Sequence, residues 1–372
     1  MRRLVHGAVL HVVPLASLVL AVWPGVAAGL RAAAIAVLIA FWIAIYVRYR
    51  HAGRAQTAHE YELLRSVRWD AFWRHYNENV PTIEQEFEIW GPYHQHRHEM
   101  RYDLVAGAAR KDLPAGGKIL DVGCGSALVA DRIADKDASY VGTDFGGPHI
   151  AYAAKKFKDF AGALHLSFAR SDAAALPFAD ESFDVVVMSE VIEHLIRPEL
   201  AVWEVARVLR PGGVFVMTTN NASEVPLRSP VTHLLAWVEK ALGAKSPNLI
   251  SLRPWVWPEK VEDRFLPAGS GEVYLPHTHH IAAQTSQMFA AAGLSTTSWS
   301  TFEFPPPHSL SARILERMDG TGRRLVDVIE AVARSIPLVR RLGTHLFIVA
   351  RKTGAPAAPE VPAGVWPGPF SG

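Results

Sequence analysis

The sequence reads as an α/β chain: a doubly wound, mostly parallel sheet of seven strands, preceded by a two-helix transmembrane hairpin. Three observations carry that expectation. Short β-rich runs alternate with helical stretches between residues 118 and 218, the order that a parallel sheet wound with helices produces. One run, Phe183-Asp184-Val185-Val186-Val187-Met188, is almost unbroken apolar, as a strand covered on both faces must be. Two long stretches without acidic residues lie ahead of all this, near the N-terminus.

Composition narrows the class further. Across 372 residues, 38 Lys and Arg face 36 Asp and Glu, a net charge of +2 that excludes a chain selecting its partners by bulk charge. Cys124 is the only cysteine, which excludes an intramolecular disulfide framework and any multi-cysteine metal site. Hydrophobic residues make up 49%, and the excess sits at the N-terminus.

Residues 4–23 carry no Asp, Glu, Lys or Arg. At helical rise they reach about 30 Å, enough for a bilayer core. Pro24-Gly25 breaks the run, and a second apolar stretch follows over about 31–47, with Arg31 placed to snorkel at one end and Tyr46, Arg48 and Tyr49 at the other. Arg2, Arg3, Arg48, Arg50 and Arg54 flank the pair, whereas the turn holds only Arg31. The positive-inside rule then puts both ends in the cytoplasm: a membrane protein with two spans and its remaining bulk on the cytoplasmic side. Val26-Ala27-Ala28 also resembles a signal-peptide cleavage site, but the length of the first run and the second segment behind it favour an anchor. The hairpin occupies residues 1–54.

Residues 55–112 read as a helical cap, amphipathic at Trp69, Phe72, Trp73 and Tyr76, interrupted at Trp90-Gly91-Pro92-Tyr93 and resuming over 95–111. Strands are expected at 118–122, 139–143, 163–169, 183–188 and 214–218, with helices at 126–135, 148–160 and 200–209, the last stopped by Arg210-Pro211-Gly212-Gly213. A proline-rich insertion with Trp237, Trp255 and Trp257 fills 221–284. A helix follows at 286–292, capped by Thr285 and ended by Gly293. Strands at 295–304 and 344–350 enclose a second insertion at 305–342, helical over 310–341. The sheet domain thus spans 113–350, and the Gly/Pro/Ala tail, 351–372, is expected to be disordered.

Between the first strand and its helix stands Leu120-Asp121-Val122-Gly123-Cys124-Gly125-Ser126-Ala127. Glycines there let a ligand approach the backbone and leave the helix N-terminus open, the arrangement of a nucleotide-cofactor site. A dinucleotide turn needs a further glycine at the position of Leu128, and Asp121 would repel a pyrophosphate. A nicotinamide-dependent oxidoreductase is therefore disfavoured; a cationic sulfonium or ammonium suits Asp121 better.

Five ordered motifs then resemble a family: the Asp121 to Ser126 turn; Val141-Gly142-Thr143-Asp144; Ser171-Asp172-Ala173 with Leu176-Pro177-Phe178; Phe183-Asp184-Val185 through Glu190-Val191-Ile192-Glu193-His194; and Leu209-Arg210-Pro211-Gly212-Gly213. Together they are similar to class I S-adenosylmethionine-dependent methyltransferases with a Rossmann-like sheet, in the broad group that includes quinone-biosynthesis methyltransferases. The resemblance runs over about 118–350 and departs from the family at Ala127, where many members carry a third glycine. It implies S-adenosyl-L-methionine as cofactor, with Gly123 and Gly125 beside its methionine part and Asp121 near its amino group. Asp144 would take the ribose hydroxyls, Asp172 and the amide of Ala173 the adenine, and Ser189 and Glu190 would border the sulfonium and acceptor pocket. Taken singly, Asp121, Asp144 and Asp172 also fit ordinary cap, turn and loop positions. Cys124 reads as a small turn residue rather than a nucleophile.

For the acceptor, Glu193 and His194 are the candidate bases, or else Glu193 favours a helix N-terminus and His194 packs beneath the sheet edge. His277, His279 and His280 suit a polar loop lining the acceptor pocket better than a metal site, and no metal is expected; the family often places a histidine where His280 stands. Trp255 and Trp257 either meet lipid or acceptor or pack ordinarily, and the basic 310–341 segment either lies on anionic lipid or is a solvated face. Anchoring favours a lipophilic acceptor and a bilayer as partners, with no nucleic acid. A non-catalytic cofactor-binding membrane scaffold is the rival expectation.

Overall fold

A computed structural model describes residues 27–37, 40, 92–195, 197–221, 259–260, 274–275, 280, 282–304, 320–336, 340 and 343–356. Helix α1 (Pro92–Asp112) opens on a proline, whose fixed φ and missing N–H suit a first helical turn. Next come β1 (Gly117–Val122), the short α2 (Leu128–Arg132), β2 (Ala138–Asp144), α3 (Gly147–Lys156), β3 (Leu164–Arg170) and β4 (Phe183–Ser189). A 3-10 turn (Ile192–His194) leads to α4 (Pro198–Val208) and β5 (Leu209–Asn220). The remainder is β6 (Glu259–Lys260), β7 (Tyr274–Leu275), α5 (Ala282–Ala291), β8 (Leu294–Phe302), α6 (Gly320–Ser335) and β9 (His345–Lys352).

The seven-stranded sheet has the order β3-β2-β1-β4-β5-β9-β8. β1 pairs in parallel with both β2 and β4, and β9 runs antiparallel between β5 and β8. The alternation of strand side chains explains the two cores. Ile119, Val185, Val187, Val214 and Val216 face Val105 and Ala109 of α1 and Val129 of α2. Leu120, Val186, Met188, Phe215 and Met217 face Val202 and Val205 of α4 and Phe289 of α5. Each fully buried side chain of this size contributes about 1.5–3 kcal/mol. Because successive strands lie on opposite sides of β1, a crevice opens above the carboxyl ends of β1 and β4, where open α/β sheets bind ligands.

Within the described residues the expected strands and helices are present, with five corrections, while 305–319 and 337–339 of the second insertion lie outside the described residues. α1 begins at Pro92, so Pro92 and Tyr93 belong to the helix and not to a break ahead of it. β5 begins at Leu209 rather than Val214, because Leu209 pairs with Phe183 before an irregularity in the register. α5 begins at Ala282, so Thr285, buried, lies inside the helix and does not cap it. The Glu193–His194 stretch forms an isolated 3-10 turn and does not open a helix, which removes the helix-terminus reading of Glu193. β9 runs to Lys352, whose Nζ donates to the Leu209 carbonyl at 2.7 Å, so the ordered chain passes the expected start of the tail.

The first expected span, 4–23, lies outside the described residues, as do most of the cap and of the 221–284 insertion. Residues 28–37 are helical, and among the described residues no helix is long and apolar enough to cross a membrane.

Candidate active site

The turn after β1 is built on backbone conformations that few residues adopt. Gly123 has φ 72°, and a Cβ there would lie 2.2 Å from Val191 Cγ2, so only glycine fits. The amides of Gly123 and Cys124 both donate to the Thr143 carbonyl, at 2.7 and 2.8 Å, which ties the turn to the end of β2. Gly125 has φ 51°. Ala127, in place of the third glycine, is itself left-handed at φ 58°. Ser126 Oγ is buried without a hydrogen-bond partner. Burial pushes the Cys124 thiol up, so it stays protonated, and it is buried.

Asp144 ends β2 with its carboxylate facing this turn. Its Oδ2 accepts from the Gly125 amide at 2.9 Å and its Oδ1 from the Gly146 amide at 2.7 Å, and His149 Nδ1 lies 3.3 Å away. A carboxylate has about four lone-pair positions, so capacity remains for a ligand. Asp121 sits deeper. It is 2% exposed, and its Oδ2 accepts from the Tyr140 hydroxyl at 2.6 Å. Burial raises its pKa to about 7, despite the tyrosine bond.

On the far side of β2, Asp172 Oδ1 accepts from the Ala174 amide at 2.8 Å, and burial raises its pKa. The 172–178 loop is pinned from α4. Glu204 accepts from the Leu176 amide at 2.6 Å, and Arg207 donates to the carbonyls of Leu176 and Phe178 at 3.0 and 2.7 Å. Asp172 and Ala173 are thereby held beside the crevice.

Beyond β4, Ser189 Oγ meets Thr218 Oγ1 at 2.8 Å. Glu190 follows at φ 56°, with a side chain 16% exposed. Its Oε2 lies 3.0 Å from His345 Nε2 and 3.9 Å from Arg101 Nη1. Burial pushes this carboxyl up, but Arg101 and His345 pull it down harder, and it is held well below the usual range. Glu193 has the opposite fate. Almost wholly buried, it accepts from Thr219 Oγ1 at 3.0 Å, and burial with the Glu190 charge keeps it neutral. His194 is half-buried in the same 3-10 turn.

Sequence reasoning missed the residues that complete this corner. Glu303, just after β8, accepts from Arg101 Nη2 at 2.8 Å, pairs with Arg97, and sits 2.7 Å from His345 Nδ1. One signal was available. Tyr93, Arg97, Arg101, Val105 and Ala109, spaced four apart, form the stripe that α1 buries, and arginines on such a face imply buried acids opposite. Where those acids sit was not legible, because Glu303 and His345 lie more than 200 positions along the chain.

His280 is buried and its amide donates to the Asn220 carbonyl at 2.9 Å, which sets it at the carboxyl end of β5. Trp255, Trp257, His277 and His279 lie outside the described residues. Among the described residues no group of three His, Cys, Asp or Glu is arranged to hold a metal ion.

Residues 120–217 match the family model described as a methyltransferase domain. The chain is 36% identical over 142 residues to a protein of Mycolicibacterium smegmatis named a probable S-adenosylmethionine-dependent methyltransferase, covering 38% of this chain and 49% of that one. It is 32% identical to a ubiquinone biosynthesis O-methyltransferase of Rhizobium etli, over 34% of this chain and 51% of that one. With the mouse mitochondrial enzyme of that name it shares 31%, over 48% and 50%. The matches thus span about half the length of these relatives. A solved S-adenosylmethionine-dependent methyltransferase of Methanosarcina mazei aligns with 16% identity and a TM-score of 0.43, over 66% of this chain and 96% of that one.

Proposed function

We propose that this chain is a membrane-anchored S-adenosyl-L-methionine-dependent methyltransferase acting on a lipophilic or membrane-associated small molecule, with its sheet domain on the cytoplasmic side. The observation that carries the reading is the Gly123 to Ala127 turn beside the strand-order switch, with the Asp144 carboxylate at the end of β2 hydrogen-bonded to it. The residues fit the cofactor. Gly123 and Gly125 leave the backbone bare, Ser126 Oγ is an unmet buried polar group, and Asp144 keeps acceptor capacity toward the crevice. Bound there, the cofactor supplies a methyl group on a cationic sulfur.

The chain's own groups do the rest. Asp144 is suited to hold the ribose hydroxyls, and the Asp172–Ala173 loop, fixed by Glu204 and Arg207, to hold the adenine edge. Ser189 and Glu190 border the space where an acceptor must be held in line with the methyl. Named O-methyltransferases among the relatives favour an oxygen acceptor.

Membrane placement rests on the two N-terminal apolar runs and on where exposed apolar side chains lie. Among the described residues every large one except Trp299 is on residues 28–37 (Leu30, Ile35, Val37), on α6 (Leu325, Val328, Val332) or just after it (Ile336). An exposed apolar stripe of three residues on α6, continued by Ile336 and flanked by Arg324, suits the surface of an anionic bilayer.

Calorimetric titration of the purified protein with S-adenosyl-L-methionine tests the reading: micromolar binding is expected, weakened at least tenfold by Asp144→Ala. Absence of binding by the wild type would overturn it.

A further inference from the structure

The corner beneath α1 contains a hydrogen-bond position with two acceptors and no proton, and we infer that this Glu190–His345 pair takes the proton of a hydroxyl-bearing acceptor. The inference rests on the methyltransferase reading and narrows its acceptor to an alcohol, enol or phenol.

Both ring nitrogens of His345 face carboxylates: Nδ1 lies 2.7 Å from Glu303 Oε2, and Nε2 lies 3.0 Å from Glu190 Oε2. Nδ1 also lies 2.9 Å from Thr344 Oγ1, and Nε2 lies 3.5 Å from Arg101 Nη2. A ring with two protons satisfies both carboxylates; a ring with one leaves a nitrogen lone pair facing a carboxylate oxygen. Burial and the charges of Arg101 and Arg97 work against the second proton, Glu190 works for it, and the balance lies below the ordinary histidine value. His98, on the same helix, is pushed down to about 2 by burial and by Arg101 and Arg97, and so adds no charge. Glu193, held neutral, adds no charge but does hydrogen-bond Glu190.

Geometry decides which nitrogen keeps its proton. Glu303 is fully closed from solvent, paired with Arg97 and Arg101, and within 3.2 Å of Thr344 Oγ1, a fixed anion that holds the Nδ1–H. The vacant position is therefore between Nε2 and Glu190 Oε2. That is the open side, where the two side chains are 11% and 16% exposed.

Two further observations point the same way. Glu190 and Glu303 both have left-handed backbones, φ 56° and 68°, and glutamate at such a position costs on the order of 1 to 2 kcal/mol. The fold holds two strained residues so that their carboxylates meet one ring. Glu190 also directly precedes Val191, whose side chain covers Gly123, so the pair adjoins the cofactor turn.

The step balances simply. The acceptor O–H bond breaks, its proton settles between Nε2 and Oε2, and the electron pair stays on the acceptor oxygen as the nucleophile. Before it, Arg97 and Arg101 cancel Glu190 and Glu303; after it, the added positive charge faces the new oxyanion.

The test uses the purified full-length protein in two measurements. Nitrogen-15 NMR of the His345 ring, assigned by loss of its signals in His345→Asn, is expected to show a single proton on Nδ1 at pH 7. A doubly protonated ring at that pH leaves no vacancy and overturns the inference. In the second measurement, labelled methyl transfer into membrane lipid extract is followed from about pH 6 to about pH 10. His345→Asn and Glu190→Gln should slow transfer by about 10²-fold or more at pH 7, and His345→Asn should leave cofactor affinity within twofold of wild type. The deficit should shrink toward about pH 10, where a phenol ionises unaided. A deficit equal at every pH marks a merely structural role and overturns the inference, as does no deficit. If the wild type transfers no label, the ring measurement alone decides; if it binds no S-adenosyl-L-methionine, the methyltransferase reading is what fails.

Discussion

Asp144 is the residue on which most of the cofactor site turns, and its two amide donors hold it in place before any ligand arrives. Replacing it with alanine should weaken cofactor binding by about 10- to 100-fold, the range for losing hydrogen bonds to a charged group, with little change in melting temperature. Gly123→Ala should do worse. It places a methyl 2.2 Å from Val191 Cγ2 at φ 72°, so both folding yield and binding should fall. Ala127 offers the reverse. Its left-handed φ of 58° is one that glycine adopts freely, and Ala127→Gly should raise stability by up to about 1 kcal/mol in a urea titration. Asp121 carries a pH signature. Its folded pKa, about 7, lies above the ordinary 3.8, so the folded state holds a proton that the unfolded state has lost. Stability should therefore fall as pH rises from about 4 to about 7 and then level off. Asp121→Asn should flatten that slope, leaving the part contributed by Asp172 and Glu193, measured by urea unfolding at several pH values, while keeping an oxygen for the Tyr140 hydroxyl.

At the scale of elements, α1 does two jobs with one face. Its lower turns pack Val105 and Ala109 on the sheet, and its upper turns carry Arg97 and Arg101 over the carboxyl ends of β4 and β5. Removing Glu303 by Glu303→Ala should destabilise the domain by about 3–5 kcal/mol, because two buried guanidinium groups lose their shared anion. Differential scanning calorimetry checks this. Most of the parallel half was legible in the sequence, since apolar runs such as Val185–Val187 and glycine-ended strands are local signals. The residues proposed for the cofactor stand at or just past the carboxyl ends of such strands, which is why the sequence could point to them. The α1 corner was not. Arg97, Glu303 and His345 are ordinary charged residues in sequence, and only the antiparallel insertion of β9 between β5 and β8 brings His345 and Glu303 beside Glu190. Thr285 shows the opposite error: a good capping residue lies buried inside α5, because the helix starts at Ala282, ahead of that local start signal.

For the whole molecule, an α/β sheet follows an apolar N-terminus, which under the proposed function puts the chemistry at a bilayer surface. The full chain should remain in the membrane pellet after alkaline carbonate extraction; release into the supernatant would remove the anchor from the account. The central claim is methyl transfer itself. It is tested most directly by incubating the purified protein with methyl-labelled S-adenosyl-L-methionine and a total membrane lipid extract, wild type beside Asp144→Ala. The account predicts label in an organic-soluble product with the wild type and at least a tenfold loss with the variant. Cofactor binding without label in any organic-soluble product would contradict it.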